Sequence, residues 1–225
     1  MEVSSERPEM LKLIEVYERL LAHFGPQGWW PVATPFEVLV GAILTQRTTW
    51  GNAARAIENL KQAGLLEPAA LASASAEEVA ALIRVAGFFR QKAERLVTIA
   101  RTLVDQYNGS MERMFGKTDT GELRRELLSS RGVGPETADA VLLYAASRLV
   151  FPIDLYTIRL AERLGLGTGG YSELQRLFTS QLPADLELYK EFHALIDELG
   201  KNFCRATPRC GRCPLREVCR YASST

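Results

Sequence analysis

"LLSSRGVGPETADAVLLYA", residues 127–145, contains two helical patterns separated by a glycine turn. The turn is Gly132-Val133-Gly134, and the second pattern begins at Pro135. Glycine adopts backbone angles closed to other residues and lets a bulky group come close, while proline suits a first helical position. Exposed N–H groups at such a helix start form an anion site, typically for phosphate. An ordinary helix end followed by a short connection is the alternative interpretation.

Helical periodicity extends over most of the remaining chain. Apolar residues recur at intervals of three and four in ten segments, and glycines separate most of these segments. The segments are Glu9–Phe24, Pro35–Gln46, Trp50–Ala63, Ala76–Val85, Gln91–Tyr107, Gly121–Ser130, Pro135–Ser147, Leu155–Leu164, Ser172–Gln181 and Leu186–Phe203. No segment alternates convincingly as a strand would, so the sequence predicts an all-α fold.

The composition is that of an ordinary globular protein. The 225 residues include 27 basic and 27 acidic side chains, so the net charge gives no support to a nucleic-acid partner. Residues 84–101 and 201–220 are locally basic, as a phosphate-binding surface or a solvated helix face would be. The polar N-terminus and the absence of a long apolar run predict no membrane segment. We expect a cytoplasmic monomer, associated with the nucleoid if the source is prokaryotic.

All four cysteines lie in one segment, "CRATPRCGRCPLREVC". They are Cys204, Cys210, Cys213 and Cys219, with the spacing C-x5-C-x2-C-x5-C. Disulfides are rare in a reducing compartment, and four thiolates this close can bind one soft metal centre. The pattern favours an iron–sulfur cluster. A zinc site and free thiols stay open as alternatives.

Together, the glycine turn and the cysteine segment resemble the endonuclease III superfamily of DNA glycosylases. That family shares a helix–hairpin–helix motif, a Gly/Pro-rich loop and an aspartate, the HhH-GPD signature. Here the hairpin is residues 127–145 and the aspartate is Asp154, nine residues after Ala145. The cysteines match the family's 4Fe–4S loop, except that the first gap is five residues where six is usual. The resemblance covers most of the chain, from about Pro35 to Cys219.

The resemblance implies two helical lobes with double-stranded DNA containing damaged bases in the cleft between them. One lobe would comprise residues 1–34 and 148–203, the other residues 35–147, and the cluster loop residues 204–219. Gly132, Gly134 and Thr137 would contact the DNA backbone, which positions the duplex without reading its sequence. Gln46 would fill the gap left by the extruded nucleotide. A helix-end glutamine in solvent is the alternative.

The resemblance also implies the chemistry. Asp154 would stabilise an oxocarbenium-like sugar and activate water, and the same side chain could cap the helix that follows. Bifunctional members carry a lysine at the position of Glu136, and a carboxylate cannot form an imine. Lys92, Lys117 and Lys201 are the lysines that could substitute for that lysine, but none of them lies in the motif. We therefore predict a monofunctional glycosylase, and we interpret His193 as a packed helix residue without a chemical role.

The predicted substrate is an alkylated purine such as 3-methyladenine. The stretch Trp29-Trp30-Pro31 and the glutamate at position 136 resemble those of the 3-methyladenine glycosylase branch, in which aromatic side chains line the base pocket. The predicted base pocket of this chain comprises Trp29, Trp30, Pro31, Trp50 and Glu136. N3-alkylated adenine is cationic, and electron-rich ring faces bind cations. The alternatives are an endonuclease III-like glycosylase for oxidised pyrimidines, with or without lyase activity, and mismatch glycosylases acting on adenine or thymine. A helix–hairpin–helix DNA-binding module without enzymatic activity is the alternative of a different class.

Overall fold

The computed structural model describes residues 12–30, 34–116 and 119–223. In these ranges the chain forms thirteen α-helices, two short 3-10 helices at Arg84–Ala86 and Cys210–Arg212, and no strand. The α-helices are α1 Leu13–Phe24, α2 Pro35–Leu44, α3 Trp50–Gln62, α4 Pro68–Ser73, α5 Ala76–Leu82, α6 Phe89–Tyr107, α7 Met111–Gly116, α8 Thr120–Ser129, α9 Pro135–Tyr144, α10 Leu155–Leu164, α11 Tyr171–Gln181, α12 Leu186–Asn202 and α13 Arg220–Ser223. The predicted all-α fold is confirmed.

All ten predicted helices are present, and α10 has the predicted ends. The helices α2 and α9 end two and three residues earlier than predicted, because apolar periodicity continues into the loops that follow them. Three helices were not predicted, namely α4, α7 and α13, and none is longer than six residues. Fewer than two turns are too short to show a repeat. The predicted start of α1 at Glu9 lies outside the described residues.

The chain divides into two compact units. Trp30–Pro152 form the first, here called the hairpin unit. Met1–Trp29 and Ile153–Thr225 form the second, here called the terminal unit. None of the helices in the described part of the chain combines the length and the apolar character that a membrane crossing requires.

The hairpin unit has a core built around α2. This helix is apolar all round and packs against α3, α6 and α9, as expected of a helix buried on most sides. The two hairpin helices α8 and α9 are joined by a bidentate ion pair, in which Arg124 Nε and Nη2 lie 2.6 and 3.0 Å from the oxygens of Asp139. Because Asp139 is fully buried, removing Arg124 would take this ion pair away from a desolvated carboxylate and loosen the hairpin.

The terminal unit is organised by α12, which packs against α1 and α10. Aromatic rings pack on its apolar side. The ring of Phe192 makes an edge contact with Tyr17, with 5.6 Å between ring centroids, and a tilted contact with Phe178, with 6.1 Å between centroids. A close approach also occurs at Gly200, because a Cβ atom there would collide with the ring of Tyr156 on α10. This packing fixes the start of α10, and with it Asp154, against α12.

Candidate active site

The glycine turn has the predicted geometry at one of its two glycines. Gly132 has φ +85°, and its lack of a side chain leaves room for the guanidinium of Arg95. Gly134 has an extended conformation at φ −92° and is the N-cap of α9. Since glycine offers no capping side chain, the first turn of α9 presents backbone N–H groups and the positive end of its dipole. This helix start is suited to an anion.

Gln46 is docked on the hairpin. Its Nε2 donates to the Gly132 carbonyl and to Thr137 Oγ1, each at 3.0 Å, and its Oε1 accepts from Arg95 Nη1 at 2.7 Å. The side chain therefore supports the glycine turn and does not extend into solvent. Arg95 was not predicted, because nothing in the sequence indicates its proximity to Gln46 and Gly132.

Arg47 and Phe88 form a second feature that sequence reasoning missed. Both are non-glycine residues with positive φ, 54° and 47°, which is uncommon for bulky side chains. Phe88 is 55% exposed, and the Arg47 guanidinium lies 5.8 Å from its ring centroid. Backbone strain of this kind concentrates at functional sites. The two residues are 41 positions apart, so only the fold reveals the pair.

The predicted base-pocket residues fall into separate groups. In the hairpin unit, the Trp30 ring makes edge contacts with Trp50 and Tyr144, each at 5.3 Å between centroids. Trp29 belongs to the terminal unit, where Lys201 Nζ lies 5.2 Å from its ring centroid. The aromatic group of the hairpin unit thus gains Tyr144, which the sequence had not singled out.

Two further members of the predicted pocket need separate mention. Glu136 is exposed in the first turn of α9. Pro31 lies outside the described residues.

Asp154 uses its two carboxylate oxygens differently. Oδ1 accepts hydrogen bonds from the backbone N–H and the hydroxyl of Thr157, each at 2.7 Å, and so caps α10. Oδ2 lies 3.9 Å from His193 Nε2. The Asp154 side chain retains 13% of its surface, so it is largely buried. Oδ1 holds the helix end, and Oδ2 faces His193.

Of the lysines that could substitute for a motif lysine, the structure describes Lys92 and Lys201, and both are engaged elsewhere. Lys92 is 1% exposed, and its ammonium donates to the Leu44 and Ala86 carbonyls, each at 2.8 Å. Burial, and secondarily Arg95, lower the pKa of Lys92 to about 8.

Lys201 is paired with two carboxylates. It forms an ion pair with Asp197 and lies 3.2 Å from Glu198. Burial alone would lower the pKa of Lys201, but these carboxylates outweigh it and hold the pKa above the ordinary value. The third candidate, Lys117, lies outside the described residues.

The cysteine segment is anchored to the end of α10. Arg163 Nη1 donates to Cys204 Sγ at 3.1 Å and to the Arg205 carbonyl at 2.8 Å, and Cys219 Sγ donates to the Arg163 carbonyl at 3.5 Å. Burial raises the pKa of Cys213 to about 11, and the charges of the other three cysteines act in the same direction. Among the described residues, however, no three His, Cys, Asp or Glu side chains are arranged to hold a metal ion.

Comparison with known proteins assigns the family. Residues 40–184 match the model of the HhH-GPD superfamily base excision DNA repair proteins. The chain belongs to this superfamily of DNA glycosylases. It is 46% identical over 209 residues to a Methanocaldococcus jannaschii protein provisionally named a DNA repair glycosylase, covering 92% of this chain and 95% of that protein. The resemblance predicted from the hairpin and the cysteines is confirmed.

Two solved structures are similar over most of this glycosylase. One is Helicobacter pylori 3-methyladenine DNA glycosylase bound to 1,N6-ethenoadenine, with 30% identity, a TM-score of 0.75 and coverage of 85% of this chain and 98% of that one. The other is a trapped covalent intermediate of endonuclease III with DNA, with 25% identity, a TM-score of 0.80 and coverage of 96% and 99%. These neighbours support DNA binding but differ in chemistry, one being named for a base and the other for a covalent adduct.

Proposed function

We propose that this glycosylase is monofunctional, and that it hydrolyses the N-glycosidic bond of alkylated purines such as 3-methyladenine to leave an abasic site. The proposal rests on one observation: among the described residues, no lysine that we consider as a nucleophile has an amine that is both neutral and able to reach the sugar. A lyase step needs a neutral lysine amine that can reach the sugar and form an imine. The hairpin offers Glu136 in place of such a lysine.

The two other lysine candidates that the structure describes, Lys92 and Lys201, are poor nucleophiles for the same reaction. The Lys92 amine is buried between two backbone carbonyls, so the sugar could reach it only if α6 moved away from its neighbours. Lys201 is accessible in part, but its carboxylate partners keep it protonated, and an ammonium has no lone pair for attack. Water is therefore the nucleophile that we assign.

Asp154 is the catalytic residue of this proposal. As the bond from the base nitrogen to C1′ breaks, its electron pair leaves with the base and positive charge develops on the sugar. A fixed carboxylate stabilises that charge, and Oδ2 can accept the proton of the water whose oxygen bonds to C1′. Thr157 contributes by holding Oδ1, which prevents the carboxylate from rotating.

The proposed substrate class is supported by a group of aromatic side chains and by the similarity to one solved structure. Trp30, Trp50 and Tyr144 form a half-buried group whose faces suit a cationic base. Trp29 is a weaker candidate because the Lys201 ammonium already lies at its ring and would repel a positive base. The similarity to a 3-methyladenine glycosylase supports the same class.

The DNA contacts that we propose lie on the hairpin unit. The backbone N–H groups around Gly132, Gly134 and Thr137 would bind phosphate, since no N-cap side chain occupies the start of α9. Phe88 is the better candidate for insertion into the base stack, as apolar side chains act as wedges in other DNA-bending proteins. Gln46 could join it only by giving up its hydrogen bonds to the turn.

We also propose a 4Fe–4S cluster held by Cys204, Cys210, Cys213 and Cys219. Four neighbouring thiols are the donor set that iron–sulfur clusters use, and Arg163 donates to one of the sulfurs. When bound, the cluster would supply a covalent cross-link between the end of α12 and the C-terminal segment. Purified protein should be yellow-brown, with broad absorbance at about 400 nm and four iron atoms per chain. Colourless protein containing zinc would contradict this assignment.

A lesion panel on defined duplexes tests the proposed activity. We expect release of 3-methyladenine and no adduct on borohydride reduction. Excision of oxidised pyrimidines with a trapped adduct would instead identify an endonuclease III-like bifunctional enzyme. Binding to DNA without release of any base would identify a non-enzymatic module.

Glu136→Lys is a gain-of-function test of the lysine argument. It should place an amine at the motif position and produce a trapped adduct where the wild type produces none. Glu136→Gln removes the same charge without adding an amine, and this control should give no adduct. Trapping by the wild type that persists in Glu136→Gln would show that another lysine serves as nucleophile.

A further inference from the structure

A row of charged side chains on α12 faces the cap of α10. His193, Asp197 and Lys201 are spaced by four residues, which places them on one face of the helix. His193 and Asp197 are both less than 10% exposed, although such side chains are normally solvated unless paired. The row continues at one end to Asp154 and at the other to the ring of Trp29.

The four side chains of the row interact electrostatically. Burial raises the pKa of Asp197; Lys201 and His193 act to lower it, and Asp154 raises it. Glu198, on the flank of α12, shares the Lys201 ammonium at 3.2 Å. Carboxylates and nitrogen-bearing side chains therefore alternate along the row from Asp154 to Lys201.

The geometry at Asp154 singles out His193. Thr157 holds Oδ1, so Oδ2 is the oxygen that our mechanism assigns to the water and the sugar. His193 Nε2 lies 3.9 Å from that oxygen, longer than a hydrogen bond but within ion-pair range. Catalytic hydrogen bonds are often long in the free enzyme and shorten in the complex. Contact between Gly200 and Tyr156 keeps α10 close enough to α12 for this approach.

We propose that His193 is a positioning residue for Asp154, and that Asp197 and Lys201 complete the charge row that holds it in place. This inference rests on the proposed function, because it assigns His193 an effect on base release that passes through Asp154. His193 would keep Oδ2 oriented before the sugar charge develops, so the enzyme need not reorganise the carboxylate during the reaction.

A double-mutant cycle on Asp154 and His193 tests the proposal. Single-turnover base release is measured on the lesion that the wild type excises fastest, and affinity on a duplex with a tetrahydrofuran abasic analogue. We expect His193→Ala to lower the rate about a hundredfold, the size of effect that misplacement of a catalytic group produces. Affinity should stay within about twofold, and His193→Ala should cause no further loss in an Asp154→Asn background.

Two further variants separate positioning from folding. His193→Gln keeps an N–H donor near the position of Nε2 and should recover at least about tenfold of the lost rate. His23→Gln is the matched control, because it changes the other histidine of the chain, which contacts Phe24 and Phe203. This control should react at the wild-type rate. If His193→Ala is unfolded at the assay temperature, His193→Gln replaces it in the double-mutant cycle with Asp154→Asn.

The outcomes distinguish this inference from the proposed function. Wild-type rates in both His193 variants, or a loss that adds fully to that of Asp154→Asn, would overturn the positioning role alone. A wild type that releases no base from any lesion overturns the proposed function and this inference with it.

Discussion

The two helix starts that matter most in this protein are built in opposite ways. The helix α9 begins at Gly134, which has no capping side chain, whereas α10 begins at Asp154, whose Oδ1 accepts two hydrogen bonds from Thr157. An uncapped helix start keeps its N–H groups available to an external anion, and a capped one has already satisfied them. The first is thus suited to DNA phosphate, and in the function that we propose the second uses its own rigidly held carboxylate to stabilise the sugar.

The largest effect should come from the capped start. Asp154→Asn preserves a good capping residue but removes the charge, so base release should fall by orders of magnitude while stability changes little. Asp154→Ala should lose the same activity and also about 1 kcal/mol of unfolding free energy, measured in urea. Substantial base release by Asp154→Asn would break the comparison, because the carboxylate would then be only a cap.

Substitutions at the uncapped start of α9 should mainly change the affinity for DNA. Gly132→Ala introduces a Cβ into the Arg95 side chain at positive φ, so we expect about 1–3 kcal/mol of destabilisation and at least about tenfold weaker binding. Gly134→Ala is the matched control for stability, since its φ is ordinary and nothing lies within 4 Å of the new Cβ. If both variants bind DNA like the wild type, the turn does not hold phosphate.

A third helix end extends the comparison to a C-terminus. Lys92 donates to the carbonyl of Leu44, the last residue of α2, so a buried cation completes this end. Because burial lowers the pKa of Lys92 from 10.5 to about 8, the unfolded chain binds more protons between these values. The free energy of unfolding should therefore rise with pH from about 8 to about 10.5, by up to about 3 kcal/mol.

Urea denaturation across that pH range measures the Lys92 contribution. Lys92→Met should abolish the rise, whereas Lys61→Met, at the exposed end of α3, should leave it unchanged. A rise that persists in Lys92→Met would assign it to other groups.

The smallest effect should come from the hydroxyl that supports the cap. Thr157→Val removes one of the two hydrogen bonds to Oδ1 and should cost about 1 kcal/mol of stability, with a several-fold lower rate of base release. Thr157→Ser keeps the hydroxyl and should behave like the wild type in rate. Equal rates in all three proteins would show that Oδ1 needs only the backbone donor.

The sequence by itself determined the helices and the family. Apolar periodicity and glycine breaks predicted ten helices, because each contains enough apolar residues at helical spacing to show the repeat. The glycine turn, Asp154 and the four cysteines were also recognisable, since their chemistry depends on residue type at short spacing. The spacing of four between His193, Asp197 and Lys201 was not singled out, and His193 was interpreted as a packed residue without chemistry.

Only the tertiary structure decided which of these groups meet. Gln46, Arg95 and Gly132 come from three separate segments of the hairpin unit, and Arg47 and Phe88 come from two. No local sequence pattern indicates such contacts. The role that we propose for His193 likewise depends on α10 packing against α12, where Gly200 leaves room for the ring of Tyr156. Local sequence sets the backbone conformation of each helix end, but long-range packing of apolar faces sets which side chains lie within reach of one another.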